Sequence, residues 1–299
     1  MERAAQTLST GIPGARPRST GLPPHTYFLV SAVFHYLGPS LAVLLFARID
    51  VLGVTWLRIA GAAVIFAIWR RPWRAISRLG NAERHVLLLF GVVLAAMNTL
   101  FYLAIARLPL ATVGAIEFLG PILLAAWGAR TRHNAAALSL TILGVIALTN
   151  FRFAGAPLGF ACAFGNCALF VLYVVLGHRV ANADPQSGPM AAIDRLGAAM
   201  LVAGVAVTPV GLGAALPAFA HPALLGAGIG VGLCSSVIPY VCDQLAMARL
   251  PRASFALMLA LLPVFALLIG ALVLHQIPDA RELAGIGLVV AGIAVHQRQ

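Results

Sequence analysis

Ten apolar runs, separated by short segments that hold most of the charge, constrain this chain more than any other feature. They fall at about 27–47, 51–69, 86–106, 109–129, 134–151, 157–178, 190–210, 223–247, 252–274 and 280–296. A helix rises about 1.5 Å per residue, so roughly 20 residues cross a hydrocarbon core of about 30 Å. In lipid every backbone N–H and C=O needs a partner, and a helix supplies one within its own segment. The expected fold is therefore an all-α integral membrane protein with ten transmembrane helices. Composition agrees. Of 299 residues 61% are hydrophobic and 10% charged, against about 25% charged in soluble domains. So few charges cannot keep this much apolar surface in water.

The charge that exists is one-sided. The formal net charge is +11, lysine is absent, and all 20 basic residues are arginine. Nucleic-acid binding would need a solvated basic face, whereas these arginines punctuate apolar runs, so no nucleic-acid partner is expected. With the N-terminus inside, fourteen arginines fall on the inner side, and Arg48, Arg107, Arg152 and Arg281 on the outer side. Arg58 and Arg195 lie within spans. The positive-inside bias places both termini in the cytoplasm. Trp69 and Trp73, with Arg70, Arg71 and Arg74, form an interfacial anchor. Residues 1–25 lack an apolar h-region and read as a flexible cytoplasmic tail, not a cleavable signal. Cys162, Cys167, Cys234 and Cys242 lie in apolar runs without a CxxC pair, so they read as small buried hydrophobes.

The chain also resembles itself. At an offset of 142 residues, 103–126 aligns without a gap on 245–268, with nine of 24 positions identical. The matches include A-R-L-P at 106–109 and 248–251, and Pro121 with Pro263. Each half then holds five spans, in 26–152 and 153–299. Five is odd, so the second half enters the membrane from the opposite side. Inverted repeats of this kind are common in secondary transporters, with a substrate site near the midplane between the halves.

An ionisable residue deep in a span costs roughly 2.5–3.5 kcal/mol on insertion scales, so it needs a partner or a function. Arg58, Glu117, Asp194, Arg195 and Asp243 are in this position. Counting along the helices puts Arg58 and Glu117 roughly 10 Å below the outer face. Asn98 falls at a similar level. These three can share one layer, with Arg195 and Asp243 in another near the inner face. The layers read as two gates, or as one gate and one coupling site. Glu117 can carry a proton, bind a substrate ammonium group, or make a static ion pair with Arg58. Asp243 can do likewise, or meet Arg249 near the interface. Asp194 and Arg195 are adjacent and face different ways, so one of them snorkels toward headgroups. Tyr102, Tyr240, Phe101 and Phe118 line a cavity or are packing. His35 and Tyr36 are weaker candidates. Pro109, Pro121, Pro251 and Pro263, together with Pro239, are candidate hinges, because proline frees backbone carbonyls that can face a cavity.

Other functions lack their signatures. There is no HExxH, GxSxG or paired-glutamate motif for a membrane enzyme, and no GxxxxGK[ST] loop for ATP-driven transport. No metal or other cofactor is implied. A receptor or structural role lacks the soluble domain it would use.

GPSLA at 38–42, LR at 57–58, RPWR at 71–74, MNTLFYLAI at 97–105, EFLGP at 117–121, IPY at 238–240 and ARLP before Phe255 carry a family resemblance. The chain resembles the drug/metabolite transporter superfamily, in its EamA-type branch, and most of all the inner-membrane threonine/homoserine exporter group. The resemblance spans about 30–297. It implies ten helices and proton-driven export of amino acids or related small metabolites across the inner membrane. A multidrug or other metabolite carrier of the same fold is the alternative. Two positions depart from the group's pattern. Leu262 stands where a Glu precedes the second-half proline, and Val43 stands where a basic residue follows GxSLA. The oligomeric state is not legible.

Overall fold

A computed structural model describes residues 23–77, 79–128, 132–149, 156–183, 188–250, 255, 258–259 and 262–296. Among them there is helix and no strand. The helices are α1 (Pro24–Leu45), α2 (Val51–Arg70), the short α3 (Trp73–Ile76), α4 (Asn81–Ile105), α5 (Leu110–Gly128) and α6 (Arg132–Thr149). They continue with α7 (Pro157–Ala181), α8 (Gly188–Phe219), α9 (Pro222–Gly232), a π-helical turn (Leu233–Val237), α10 (Ile238–Met247), α11 (Leu262–Leu274) and α12 (Ala280–His296).

Local chemistry sets their ends. Asp50 caps α2 by accepting from the Leu52 N–H at 2.9 Å. Glu83 folds back to accept from Gly80 N–H at 3.1 Å and so opens α4. Asp279 and Glu282 exchange the same kind of bonds at α12, at 2.7 and 3.0 Å. Proline at the first turn starts α7 and α9. Arg71 ends α2 in the left-handed region, with φ 49°.

Among the described residues six segments are long and apolar enough to cross a membrane: His25–Leu45, Val51–Arg70, Asn81–Ile105, Pro157–Ala181, Met190–Phe219 and Pro222–Met247. Lipid-type residues also cover the outside, with Leu44, Val64, Ile68, Val205, Leu272 and others more than half exposed. A chain this apolar on its surface belongs in a bilayer. The chain is thus a multi-pass, all-helical membrane protein. The run expected at 190–210 extends to Phe219, because Pro209 and Pro217 are accommodated inside one 32-residue helix. The run at 252–274 is described as helix from Leu262 on, and most of 251–261 lies outside the described residues. The first 22 residues of the expected tail lie outside them too.

Helices from the two ends of the chain interleave. α2 packs on α8, α6 on α12 and α5 on α11. α4 packs on α7 and α8, while α1 packs on α10 and α11. α9 and the π turn close against α2 and α1. The core between them is built of Phe28, Phe66, Phe90, Phe170 and Phe255, with Tyr36, Tyr102, Tyr173 and Tyr240, each essentially inaccessible. Four tyrosines at this depth bring four hydroxyls that must find partners.

Candidate functional site

Those hydroxyls surround the buried charges. Arg58 is 3% exposed. Its position depends on a break in the helix across from it. Pro239 has no N–H, so the carbonyl four residues back, that of Ser235, receives no ordinary helix bond. The chain passes this point as a π turn, in which Ile238 N–H bonds the Leu233 carbonyl five residues back. Arg58 Nη2 donates to the freed Ser235 carbonyl at 2.8 Å, and Nε donates to Ser236 Oγ at 2.9 Å. Nη2 also lies 3.4 Å from Tyr240 Oη, and the guanidinium sits 4.8 Å from the Tyr102 ring centroid. Two glycines let the helices come this close. A Cβ on Gly232 would meet the Arg58 carbonyl at 2.6 Å, and one on Gly38 would meet Ser235 Oγ at 2.3 Å.

Asn98 joins through Tyr240, which donates to Asn98 Oδ1 at 2.8 Å. The Asn98 amide itself is tied back to the Leu94 carbonyl at 2.7 Å. Tyr102 Oη reaches Ser235 Oγ at 3.3 Å. The structure therefore brings Arg58, Asn98, Tyr102 and Tyr240 together.

Glu117 has different partners. Asn166 donates to its Oε1 at 2.9 Å, Tyr36 to its Oε2 at 3.4 Å, and His35 Nε2 lies 3.8 Å from Oε2. The layer drawn from the sequence grouped Glu117 with Arg58; the hydrogen bonds group it with α1 and α7 instead. Asp243 is 2% exposed. Ser31 donates to its Oδ1 at 2.5 Å and Tyr173 to its Oδ2 at 2.6 Å. It is enclosed between α1 and α7, and Arg249 instead stacks over Tyr27, 5.0 Å from the ring centroid. The Tyr240 ring packs 5.6 Å, centroid to centroid, from that of Tyr173, the partner of Asp243, and Phe170 connects Tyr173 to His35 beside Glu117, so the two clusters form one region.

Asp194 and Arg195 stand apart from it. Asp194 accepts from Arg70 Nε at 2.7 Å, and Arg195 lies 3.4 Å from the Val180 carbonyl. Pro109 is exposed just before α5, and Pro263 is buried in the first turn of α11. Pro121 is inside α5, but its side chain and that of Phe118 lie outside the described set, as does Pro251. Phe101 is buried beside Tyr102. Cys162 and Cys167 are buried as expected, whereas Cys234 and Cys242 are only partly so.

Sequence reasoning passed over Ser31, Asn166, Tyr173, Ser235, Ser236 and Gln244. Asn166 had a usable signal, since a fully buried amide in an apolar helix needs a reason as much as Asn98 does. The serines and Tyr173 gave none. Buried polar atoms without a partner among the described residues include Arg58 Nη1, Asn166 Oδ1 and both amide atoms of Gln244. A buried donor or acceptor left this way costs about 1–3 kcal/mol.

Comparison with known proteins points to a family of transporters. Residues 157–296 match the model of the EamA-like transporter family. The chain is 30% identical over 290 residues to the threonine/homoserine exporter RhtA of Escherichia coli K12, covering 94% of this chain and 93% of that one. Against the Salmonella typhimurium SL1344 protein of the same name it is 30% identical over 261 residues, 85% of this chain and 84% of the other. A crystal structure at 17% identity superposes with a TM-score of 0.59, covering 92% and 98% of the two chains, which speaks to the fold alone.

Proposed function

The chain belongs to the EamA-like transporter family, and from that premise we propose that it is a secondary carrier exporting amino acids or related small metabolites in exchange for protons. The observation that carries this reading is Arg58. It is a buried cation whose hydrogen-bond partners are neutral, with Nη1 left over. A buried charge without a counter-ion is costly, and the carboxylate of an amino acid supplies one. Tyr102, Tyr240 and Asn98 then shape the pocket around it. Glu117 and Asp243 offer two places for the ammonium group or the exchanged proton.

In this reading ten helices form two inverted repeats, 26–152 and 153–299, with both termini in the cytoplasm of the inner membrane. Packing supports it. α2 with α8, α5 with α11 and α6 with α12 are the pairs that such a repeat makes equivalent. Asn98 and Tyr240 are themselves equivalent at the 142-residue offset and share a hydrogen bond. Positions that touch their own equivalents lie on a two-fold axis. Pro109, Pro121, Pro251 and Pro263 would then be flexing points at matched places in the two halves.

The printed substrates of the relatives give the first solutes to try, threonine and homoserine. Leu262 is buried and Val43 half-buried, so neither supplies the charge those positions carry in the group this chain resembles. This favours a second reading, in which another metabolite or a drug is carried on the same scaffold. Proteoliposomes loaded with labelled threonine, then with a panel of amino acids and cationic drugs, separate the two. Flux of threonine or homoserine driven by a pH gradient supports the first. Flux of none of these, with insertion proven, sinks the carrier reading. Labelling of cysteines placed at 107 and 249 from opposite sides of the membrane tests the inverted arrangement.

A further inference from the structure

The arginines at one end of the bundle are not equally engaged. Arg70 Nε donates to Asp194 at 2.7 Å, and Arg249 stacks over Tyr27. Arg179, at the end of α7, has no hydrogen bond or ion pair among the described residues. Arg195, near the start of α8, has one long contact, from Nη1 to the Val180 carbonyl at 3.4 Å. The described carboxylates on this side are already occupied. Asp194 accepts from Arg70, and Glu83 accepts from the Gly80 N–H at 3.1 Å.

Arg179 and Arg195 line one cleft, between the first turns of α4, the last turn of α7 and the start of α8. Exposed Glu83 shares its rim with them. The inner wall is apolar and formed by Val86, Leu87 and Val180, of which the last two are buried. Ala82 to Leu87 cover about 8 Å along α4, so the cleft leads from a charged rim into apolar depth. The rim lies at headgroup level. Trp69 and Trp73 are half exposed at the end of α2 and in α3, which packs on α8, and such tryptophans settle at a membrane interface. Lipid reaches the neighbouring surface, since Leu88 and Leu89 of α4 are half exposed. In the orientation proposed above this is the cytoplasmic face. Two arginines against one carboxylate leave the rim with one net positive charge.

We propose that this cleft binds one anionic phospholipid, with its phosphate diester between Arg179 and Arg195 and an acyl chain against Val86, Leu87 and Val180. The single negative charge of the diester balances the rim. A guanidinium meets a phosphate through two parallel N–H···O bonds, and Arg179 has its donors to offer. Free phosphate would satisfy the arginines and leave the apolar wall in water, whereas a lipid covers both. Basic pockets between membrane helices take anionic headgroups on the same physical ground. α4 carries Asn98 and Tyr102, and α7 carries Asn166 and Tyr173. An occupied cleft therefore ties together the ends of two helices that build the candidate site.

The test uses the full chain in a neutral detergent, with phosphatidylglycerol and phosphatidylcholine of matched chains as probes and native mass spectrometry to count bound lipid. Wild type should retain one phosphatidylglycerol in preference to phosphatidylcholine. Arg195→Gln should weaken retention about fivefold, and Arg179→Gln with Arg195→Gln together roughly twentyfold. Arg71→Gln removes an exposed arginine of the same face that does not line the cleft, and should leave retention unchanged. Val86→Trp fills the apolar wall with both arginines in place, and should also release the lipid. Equal retention of the two lipids by wild type overturns the proposal, and so does unchanged retention in the double arginine variant. An equal loss in Arg71→Gln overturns it too, because the charge of the whole face would then hold the lipid. Should the cleft variants fail to fold, competition on the wild-type protein decides. Long-chain phosphatidylglycerol should displace the bound lipid, and short-chain phosphatidylglycerol and inorganic phosphate should not. Displacement by inorganic phosphate as readily as by the long-chain lipid would leave a simple anion site and refute the lipid assignment.

Discussion

Arg58 and the two carboxylates occupy one buried region with opposite charges, yet they are held in different ways. Arg58 is fixed by a backbone defect. Its strongest partner is the Ser235 carbonyl that the π turn and Pro239 leave free. Glu117 and Asp243 are held by side chains alone, through Asn166, Tyr36, Ser31 and Tyr173. A carbonyl in a helix cannot turn away, whereas hydroxyls and amides can rotate. The arginine is thus the more rigidly held group, and in the proposed carrier reading the carboxylates are the sites whose partners give way to a proton or a solute. Had the charges paired with each other, both would be structural. Solvated by neutral groups instead, each stays available to an ion of opposite sign.

The largest effect should come from removing the anchor. Arg58→Met takes away a buried, hydrogen-bonded charge, a loss worth about 2–5 kcal/mol in binding. Counterflow at equal protein density should fall by a factor on the order of 10², and more than a tenth of wild-type rate would break the contrast. Glu117→Gln keeps the shape of the other site and removes its titration. Accumulation under a pH gradient should fall roughly tenfold, a change on the scale expected when a proton-transfer group is lost. A gradient response equal to wild type would move the proton site elsewhere. Gly38→Ala sharpens the rigid side. The new methyl would collide with Ser235 Oγ at 2.3 Å and with its Cα at 2.7 Å, and overpacking of this kind costs about 1–3 kcal/mol. Thermal unfolding in detergent should shift down by several degrees; an unchanged midpoint would mean α1 does not brace the π turn. The smallest effect belongs to Tyr240→Phe. It removes one hydroxyl between Arg58 and Asn98, worth about 0.5–1.5 kcal/mol. Half-saturation should rise severalfold with maximal rate nearly kept, and a larger loss of rate than of affinity would make Tyr240 more than a bridge.

Much of this region was legible as a list of residues, but not as a set of contacts. Arg58 and Glu117 stand out because charge is rare and costly in an apolar helix. Asn166 carries the same signal more weakly. Ser31 and Tyr173 carry none, since serine and tyrosine enter membrane helices cheaply. Asp243 shows where depth counting stops working. Its place near the end of its run suggested an interfacial residue beside Arg249. Its exposure is instead set sideways, by α1 and α7 closing over it. The π turn was visible only as Pro239, because one residue's missing N–H does not say whether the chain kinks, breaks or widens.

The sequence by itself determined that the chain lives in lipid, that it is helical, and that it belongs with the EamA-type carriers. The first two follow from transfer free energies and backbone hydrogen bonding, which sum along the chain without reference to who packs on whom; the third follows from short motifs and overall likeness to known relatives. Only the tertiary structure decided that Arg58 binds a freed carbonyl rather than Glu117, and that one face of α1 reaches both carboxylates. Such choices turn on differences of an ångström between helices far apart in sequence, and no local rule of composition or spacing carries that information.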